Sequence, residues 1–333
     1  MSQSRLTLAL EGAELPAEGT ILVIGPRGDT DLSALPKDRV RIVQGFRPDH
    51  DALAARGYAV SPGFEGHHAA AILFVPRARA AARALVAAAA DHLPAGASVW
   101  VDGQKTDGVD SVLKDIRPRA EIAEVFAKAH GKVFRFAVPE RGGFEDWRAA
   151  DTQPAPGFVA APGVFSADGI DKGSVALAAE LPGDLHGVVA DLGAGWGWLS
   201  SEILKRDGVR ELHLIEADHA ALACARRNVT DPRARFHWAD ATRFRPERRF
   251  DVVVTNPPFH TERAADPALG AAFIQAAAGM LTPSGQLWLV ANRHLPYEKT
   301  MAALFREVAE VGGTSGFKVL KGNRPATSPR PGR

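Results

Sequence analysis

The sequence predicts two tandem α/β domains, each built on a mostly parallel, doubly wound sheet, with the N-terminal copy degenerate. Three observations carry this reading. Apolar, β-branched runs in the C-terminal half each end at an acid, an amide or a glycine-rich turn, the usual ligand edge of an open α/β sheet. A helix, a Pro-x-Gly turn and a Trp-bearing strand recur in the same order in both halves. The length of 333 residues, with 46% apolar and 24% charged content, is ordinary globular composition and enough for two domains.

In chain order, Ile21-Leu22-Val23-Ile24-Gly25 reads as a strand entering a turn. Ala71-Ile72-Leu73-Phe74-Val75-Pro76 is a further strand, followed by an Ala-rich helix from about Arg77 to Leu93. Pro94-Ala95-Gly96 ends that helix and leads to the strand Ser98-Val99-Trp100-Val101-Asp102. Lys132-Val133-Phe134 falls near the end of this half. The expected boundaries are a first domain at 1–150, a linker at 151–162 carrying Pro154, Pro156 and Pro162, a second domain at 163–322, and a basic flexible tail at 323–333.

In the second half, Val188-Val189-Ala190-Asp191-Leu192 reads as a strand, Gly193-Ala194-Gly195-Trp196-Gly197 as a turn, and Trp198 to Lys205 as a helix. Gly193 and Gly195 let the backbone approach a ligand. A nicotinamide dehydrogenase shares this pattern, but Asp191 would repel a pyrophosphate and Gly197 arrives one position early for dinucleotide spacing. An acid inside the turn suits a cation, such as the amino group of a methionine moiety. The strand Glu211-Leu212-His213-Leu214-Ile215 ends in Glu216, placed for ribose hydroxyls. A strand near Ala234 to Trp238 leads to Asp240, which could accept an adenine amino group. Each acid alone reads as a solvated strand-end charge. The ordered set of three is specific, because Asn256 follows a fourth strand.

That fourth strand is Phe250-Asp251-Val252-Val253-Val254-Thr255, and Asn256-Pro257-Pro258-Phe259 follows it directly. The prolines stiffen the turn and remove two N–H donors. The Asn256 side-chain oxygen and the Pro257 carbonyl could each accept an N–H from an exocyclic amine, and Phe259 could stack on its ring. Such a site aims a nitrogen lone pair at an electrophile. A helix from about Pro267 to Leu281, Pro283-Ser284-Gly285 and the strand Gln286-Leu287-Trp288-Leu289-Val290 repeat the order of the first half. The first half has Gly25-Pro26-Arg27-Gly28 and Arg77 where these motifs would fall, so it is read as catalytically silent.

On these residues the chain resembles the class I S-adenosylmethionine-dependent methyltransferases, specifically the ribosomal RNA guanine-N2 methyltransferases of the RsmC/RlmG type. Further carriers are Val164-Phe165-Ser166-Ala167-Asp168-Gly169-Ile170-Asp171-Lys172-Gly173-Ser174, Leu289 to Tyr297, and Gly316-Phe317-Lys318-Val319-Leu320. The resemblance is strong from Pro162 to Lys321 and looser before. It implies two Rossmann-like methyltransferase domains, the first supporting the second and RNA binding. It implies S-adenosylmethionine held by Asp191, Gly193 and Gly195, with Asp171 and Gly173 closing over it, Glu216 on the ribose, and Asp240 with the Ala241 backbone on the adenine. Asn256 and Pro257 would accept the N2 hydrogens of a guanine turned out of its stack, with Phe259 stacking. His260, next to the motif, reads either as a contact to the base or a phosphate or as a turn histidine packed against its neighbours. The partner implied is ribosomal RNA or a ribosomal subunit, with the small subunit favoured by the match around Asp102-Gly103-Gln104-Lys105-Thr106-Asp107-Gly108. Adenine N6 and protein glutamine are alternative substrates, though those enzymes prefer Tyr where Phe259 stands; a non-catalytic assembly factor is another alternative.

Neither a secretory leader nor an apolar run of about 18 residues is seen, so no membrane partner is expected. The single Cys224 excludes an internal disulfide, fits a cytoplasmic chain and reads as a small core residue. His67-His68 lacks the spacing of a metal site, and none is expected. The sequence leaves the oligomeric state open, with a monomer favoured. Net charge is only +1, but Arg233, Arg235, Arg243, Arg245, Arg248 and Arg249 crowd one stretch, and Lys318, Lys321, Arg324, Arg330 and Arg333 the end. These patches, with Lys105 and Arg293, are candidates for RNA phosphates or else a solvated face.

Overall fold

A computed structural model describes residues 4–11, 15–140, 143–258, 260–261, 264–265 and 267–326. The chain divides into two compact units, Met1–Asp151 with Ala161–Gly163, and Thr152–Ala160 with Val164–Arg333. The first contains α1 (Arg5–Leu10), β1 (Ile21–Ile24), β2 (Val40–Val43), α2 (Arg47–Ala55), β3 (Ala59–Ser61), β4 (Ala70–Phe74), α3 (Arg79–Asp91), β5 (Ser98–Gln104), α4 (Val109–Ile116), β6 (Ile122–Lys128) and β7 (Gly131–Ala137). Its sheet order is β3-β2-β1-β4-β5-β7-β6, parallel through β5 and antiparallel at β7 and β6.

The second unit contains α5 (Lys172–Glu180), β8 (Gly187–Leu192), α6 (Trp198–Leu204), β9 (Val209–Glu216), α7 (His219–Asn228), β10 (Ala234–Trp238) and β11 (Phe250–Thr255). A short pair β12 (His260–Thr261) and β13 (Ala264–Ala265) follows, then α8 (Pro267–Met280), β14 (Leu281–Asn292), α9 (Tyr297–Leu304), β15 (Phe305–Gly313) and β16 (Phe317–Pro325). The order β10-β9-β8-β11-β14-β16-β15 repeats that of the first sheet position for position. The doubly wound tandem fold is therefore as expected.

The two sheets agree down to single hydrogen bonds. The Gly25 N–H donates to the Val43 carbonyl at 2.9 Å, and the Gly193 N–H to the Ile215 carbonyl at 2.9 Å. In this register Val23 takes the place of Asp191, Gln44 that of Glu216, and Phe74 that of Asn256. Gln44 is spent internally: its Nε2 donates to the Pro26 carbonyl and its Oε1 accepts from the Phe46 N–H. Asp102 is likewise structural, buried against the Arg5 guanidinium.

Strand alternation sorts the second core onto the two faces of its sheet. Val188, Ala190 and Leu192 of β8 face one layer with Phe273, Ile274 and Tyr297. Val189 faces the other with Leu199, Ile203 and Trp288. Asp191 shares the face of Val189 and so points toward α6. Cys224 is buried on α7.

Two expected segments are reassigned. Thr152 and Ala160 pair in an antiparallel bridge within the second unit, so this part of the expected linker is bonded structure. Strand β16 runs to Pro325, which pairs with Phe305, because continuing the ladder satisfies backbone groups that a tail would leave to water. Residues 327–333 of the expected tail lie outside the described residues.

Candidate functional site

The chain leaves β8 to build β9 and β10 on one side, then returns to β11 on the other. The carboxyl ends of β8 and β11 thus flank a topological switch point, where ligands bind in open α/β sheets. The Thr255 hydroxyl donates to the Leu192 carbonyl at 2.8 Å and ties the two ends together. A cavity opens there, lined by Phe165, Ser166, Ile170, Asp171, Ser174, the loop Gly193–Trp196, Trp198, Leu199 and Asn256.

The glycine loop turns because Gly193, Gly195 and Gly197 adopt φ of +75°, +56° and +91°, a region costly for residues with a Cβ. A Cβ at Gly195 would meet nothing within 4 Å, so the loop has room on its ligand side. At Gly197 the requirement is also steric, since a Cβ would lie 2.8 Å from Val229 Cγ2.

Asn256 is held in one orientation. Its Nδ2 donates to Asp171 Oδ2 at 2.7 Å and to Ser174 Oγ at 2.9 Å. The same Asp171 oxygen caps α5 by accepting from the Ser174 N–H at 2.8 Å. With the amide nitrogen anchored between two acceptors, Oδ1 is left buried with no hydrogen-bond partner among the described residues. A buried amide oxygen without a donor is rare enough to mark a ligand position. Gly173 fits this arrangement, because a Cβ there would lie 2.9 Å from Asp171 Oδ2. Pro257 is buried beside it.

The acids lie around this centre with distinct surroundings. Asp191 sits on β8 rather than inside the turn; its Oδ2 accepts from the Ser200 hydroxyl at 2.6 Å, and its buried Oδ1 has no partner among the described residues. Burial pushes its carboxyl up to about 7, with the Glu216 charge adding to the rise against the Ser200 hydrogen bond. Glu216 accepts from the Gly195 N–H and the Asp218 N–H, each at 2.8 Å, and so braces the glycine loop. Burial raises its pKa despite those bonds. Asp240 accepts from the Thr242 N–H and hydroxyl, and Ala241 is buried in the core. None of Asp191, Glu216, Asp240 and Ala241 lines the cavity, and Glu216 reaches it only through its bond to the Gly195 N–H. Phe259 lies outside the described residues; the backbone of His260 pairs with Ala265, and its side chain is likewise outside the description.

The expected basic track is mostly paired. Arg235 and Arg248 both meet Glu211, Arg233 meets Asp231 and the carbonyls of Leu204 and Val209, and Arg249 donates to the Leu281 carbonyl. Arg293 is bound to Glu310 and Lys318 to Glu298, while Lys321 covers the Trp288 ring. Lys105 is exposed on a short 3-10 turn. Ser174, Ser200 and Trp196 were not singled out from sequence. Ser174 could have been, since an Asp three residues ahead of a Ser reads as a helix cap.

Comparison with known proteins agrees with this architecture. Residues 156–321 match the family model "Methyltransferase small domain", and residues 14–142 match "Methyltransferase small domain N-terminal". A Hahella chejuensis protein named ribosomal RNA small subunit methyltransferase C is 28% identical over 322 residues, covering 90% of this chain and 93% of the relative. An Acinetobacter baylyi protein of the same name is 26% identical, covering 75% and 77%. A ribosomal RNA large subunit methyltransferase G from Ectopseudomonas mendocina is 33% identical, covering 52% and 47%. Among solved structures, a T. thermophilus 16S rRNA N2 methyltransferase (RsmC) in complex with AdoMet and guanosine superposes with a TM-score of 0.79 at 24% identity, covering 97% of this chain and 92% of that one. At that identity the likeness establishes the fold.

Proposed function

The chain belongs to the methyltransferase small domain family, of the RsmC/RlmG type, and from that premise we propose that it methylates the exocyclic N2 amine of a guanine in ribosomal RNA. The observation that carries this is the buried Oδ1 of Asn256, without a partner among the described residues while Asp171 and Ser174 hold the amide nitrogen. It is an acceptor preorganised for an amine. The small subunit is the favoured substrate, as in the names of the relatives that cover most of the chain. The large-subunit relative, more identical over a shorter stretch, supports large-subunit RNA as the second reading.

S-adenosylmethionine supplies an electrophilic methyl group on a sulfonium centre. The residues fit this cofactor: the glycine loop is open on its ligand side, and Asp191 offers a buried oxygen, without a partner among the described residues, to a cationic amino group. Asp191, Gly193 and Gly195 would hold the methionine end, with Asp171 and Gly173 beside it. Glu216, already on the Gly195 N–H, keeps further lone pairs for ribose hydroxyls. Asp240 and the Ala241 backbone would meet the adenine.

Guanine N2 is a poor nucleophile because its lone pair delocalises into the ring. Asn256 Oδ1 and the Pro257 carbonyl accept its hydrogens, oppose that delocalisation and favour a pyramidal nitrogen whose lone pair faces the cavity. Phe259 would stack on the ring and His260 contact the base or a phosphate. The test is to incubate the purified chain with labelled S-adenosylmethionine and ribosomal subunits or their naked RNAs, then digest to nucleosides. Label in N2-methylguanosine supports the proposal. Label in N6-methyladenosine, label in protein, or no label in any fraction would each refute it.

A further inference from the structure

The wall of the cavity formed by Phe165 to Asp171 is suspended from the rest of the second unit by a small set of hydrogen bonds, and Asn228 stands at their centre. Asn228, the last residue of α7, spends its whole amide on two chain segments far away in sequence. Its Oδ1 accepts from the Val159 N–H at 2.9 Å, and its Nδ2 donates to the carbonyls of Val159 and Trp196, both at 2.8 Å. The Trp196 indole N–H in turn donates to the Phe165 carbonyl at 3.1 Å. The Trp196 ring meets Phe158 edge-on, with centroids 5.5 Å apart. A second tie comes from the Thr152 hydroxyl, which donates to the Ala167 carbonyl at 2.6 Å.

These bonds hold a conformation that would not persist alone. Ser166 sits at φ +54°, in the left-handed region disfavoured for a residue with a Cβ. Phe165 is left 65% exposed, so its side-chain packing contributes little to holding the wall. Gly197 is the enabling contact, since only a glycine lets the end of α7 come so near the glycine loop.

We infer that Asn228 is a positioning residue for the cofactor: through Val159 and Trp196 it sets the wall 165–171 against the glycine loop. Thr152–Ala160 then acts as a strut of the binding site. The inference rests on the reading that this cavity takes S-adenosylmethionine.

The experiment measures S-adenosylmethionine affinity by calorimetry, and KM and kcat on RNA, for the full chain and for Asn228→Ala, Trp196→Phe and Thr152→Val. Asn228→Ala loses three hydrogen bonds and is expected to raise Kd and KM for the cofactor about tenfold. Its kcat at saturating cofactor should stay within about twofold of wild type. Trp196→Phe and Thr152→Val each cut one tie to the wall and are expected to shift Kd the same way by less. A lowered melting temperature and active fraction, with Kd and KM of the folded molecules unchanged, overturns the inference, since that is the mark of a structural role only. Wild-type binding with all three variants unchanged also overturns it. No binding by the wild type overturns the reading of the site itself, and this inference with it.

Discussion

Removing the carboxylate of Asp171 should misaim Asn256 without touching it. The Asn256 amide is symmetric enough to turn over, and only the acceptors at its nitrogen decide which end faces the cavity. Asp171 Oδ2 at 2.7 Å is the stronger of the two, because a hydrogen bond to a charged group contributes about 1.5–3 kcal/mol. If that energy fixes the accepting orientation, its loss slows methyl transfer about 10- to 150-fold. The remaining bond to Ser174 Oγ at 2.9 Å is a neutral one, worth about 1 kcal/mol, so Ser174→Ala alone should slow transfer about fivefold. Asp171→Ala also removes the cap of α5 and should cost about 1 kcal/mol of stability. The assay is single-turnover methyl transfer to RNA at saturating S-adenosylmethionine, which separates aiming from cofactor affinity. A folded Asp171→Ala variant within twofold of the wild-type rate would refute the reasoning.

Three further outcomes are expected. Asn256→Ala removes the acceptor itself and should lower kcat by about 100-fold, with cofactor affinity by calorimetry nearly unchanged; a comparable loss of affinity instead would place Asn256 in the cofactor site. Asp191 has a folded pKa near 7, above its unfolded value of 3.8, so the folded chain keeps a proton that the unfolded chain releases. The stability owed to this residue is therefore present at low pH and lost as pH rises through that window. Wild type should lose stability relative to Asp191→Asn between those pH values in urea titrations, and a constant difference would contradict it. Gly270→Ala should lower the melting temperature by the equivalent of about 1–3 kcal/mol or more, because its Cβ would overlap the Tyr297 hydroxyl oxygen; unchanged melting would show that α8 can shift freely.

The strands that frame the site were legible, though β8 begins at Gly187 and β9 at Val209, earlier than expected. Ala234–Trp238 alternates apolar with polar residues and Phe250–Thr255 is largely apolar and β-branched, and the pattern marks both. The Ala-rich helix begins at Arg79 rather than Arg77, because Ala78 stays extended as its N-cap. The strand expected at 286–290 spans Leu281–Asn292 and takes in the expected turn at 283–285, since it pairs with β11 at Leu281 and with β16 as far as Asn292. Asp191 reads in sequence both as part of its strand and as part of the turn after it, and it lies on the strand. Its position at the strand end was visible, but its direction is set by alternation against α6, where Ser200 meets it. The anchoring of Asn256 was not legible at all, because Asp171 and Ser174 lie 85 and 82 residues away and meet it only when α5 docks at the sheet edge. The arginine run illustrates the opposite failure: a dense cationic stretch in sequence folds onto Glu211 and Asp231 and loses much of its free charge.

The most direct test of the central claim maps N2-methylguanine by mass spectrometry in both ribosomal RNAs from cells with the gene, without it, and complemented with wild type or Asn256→Ala. The account expects one guanine to lose its methyl group on deletion, to regain it with wild type, and to remain bare with the variant. Unchanged N2-methylguanine in both RNAs, or full restoration by Asn256→Ala, would contradict it.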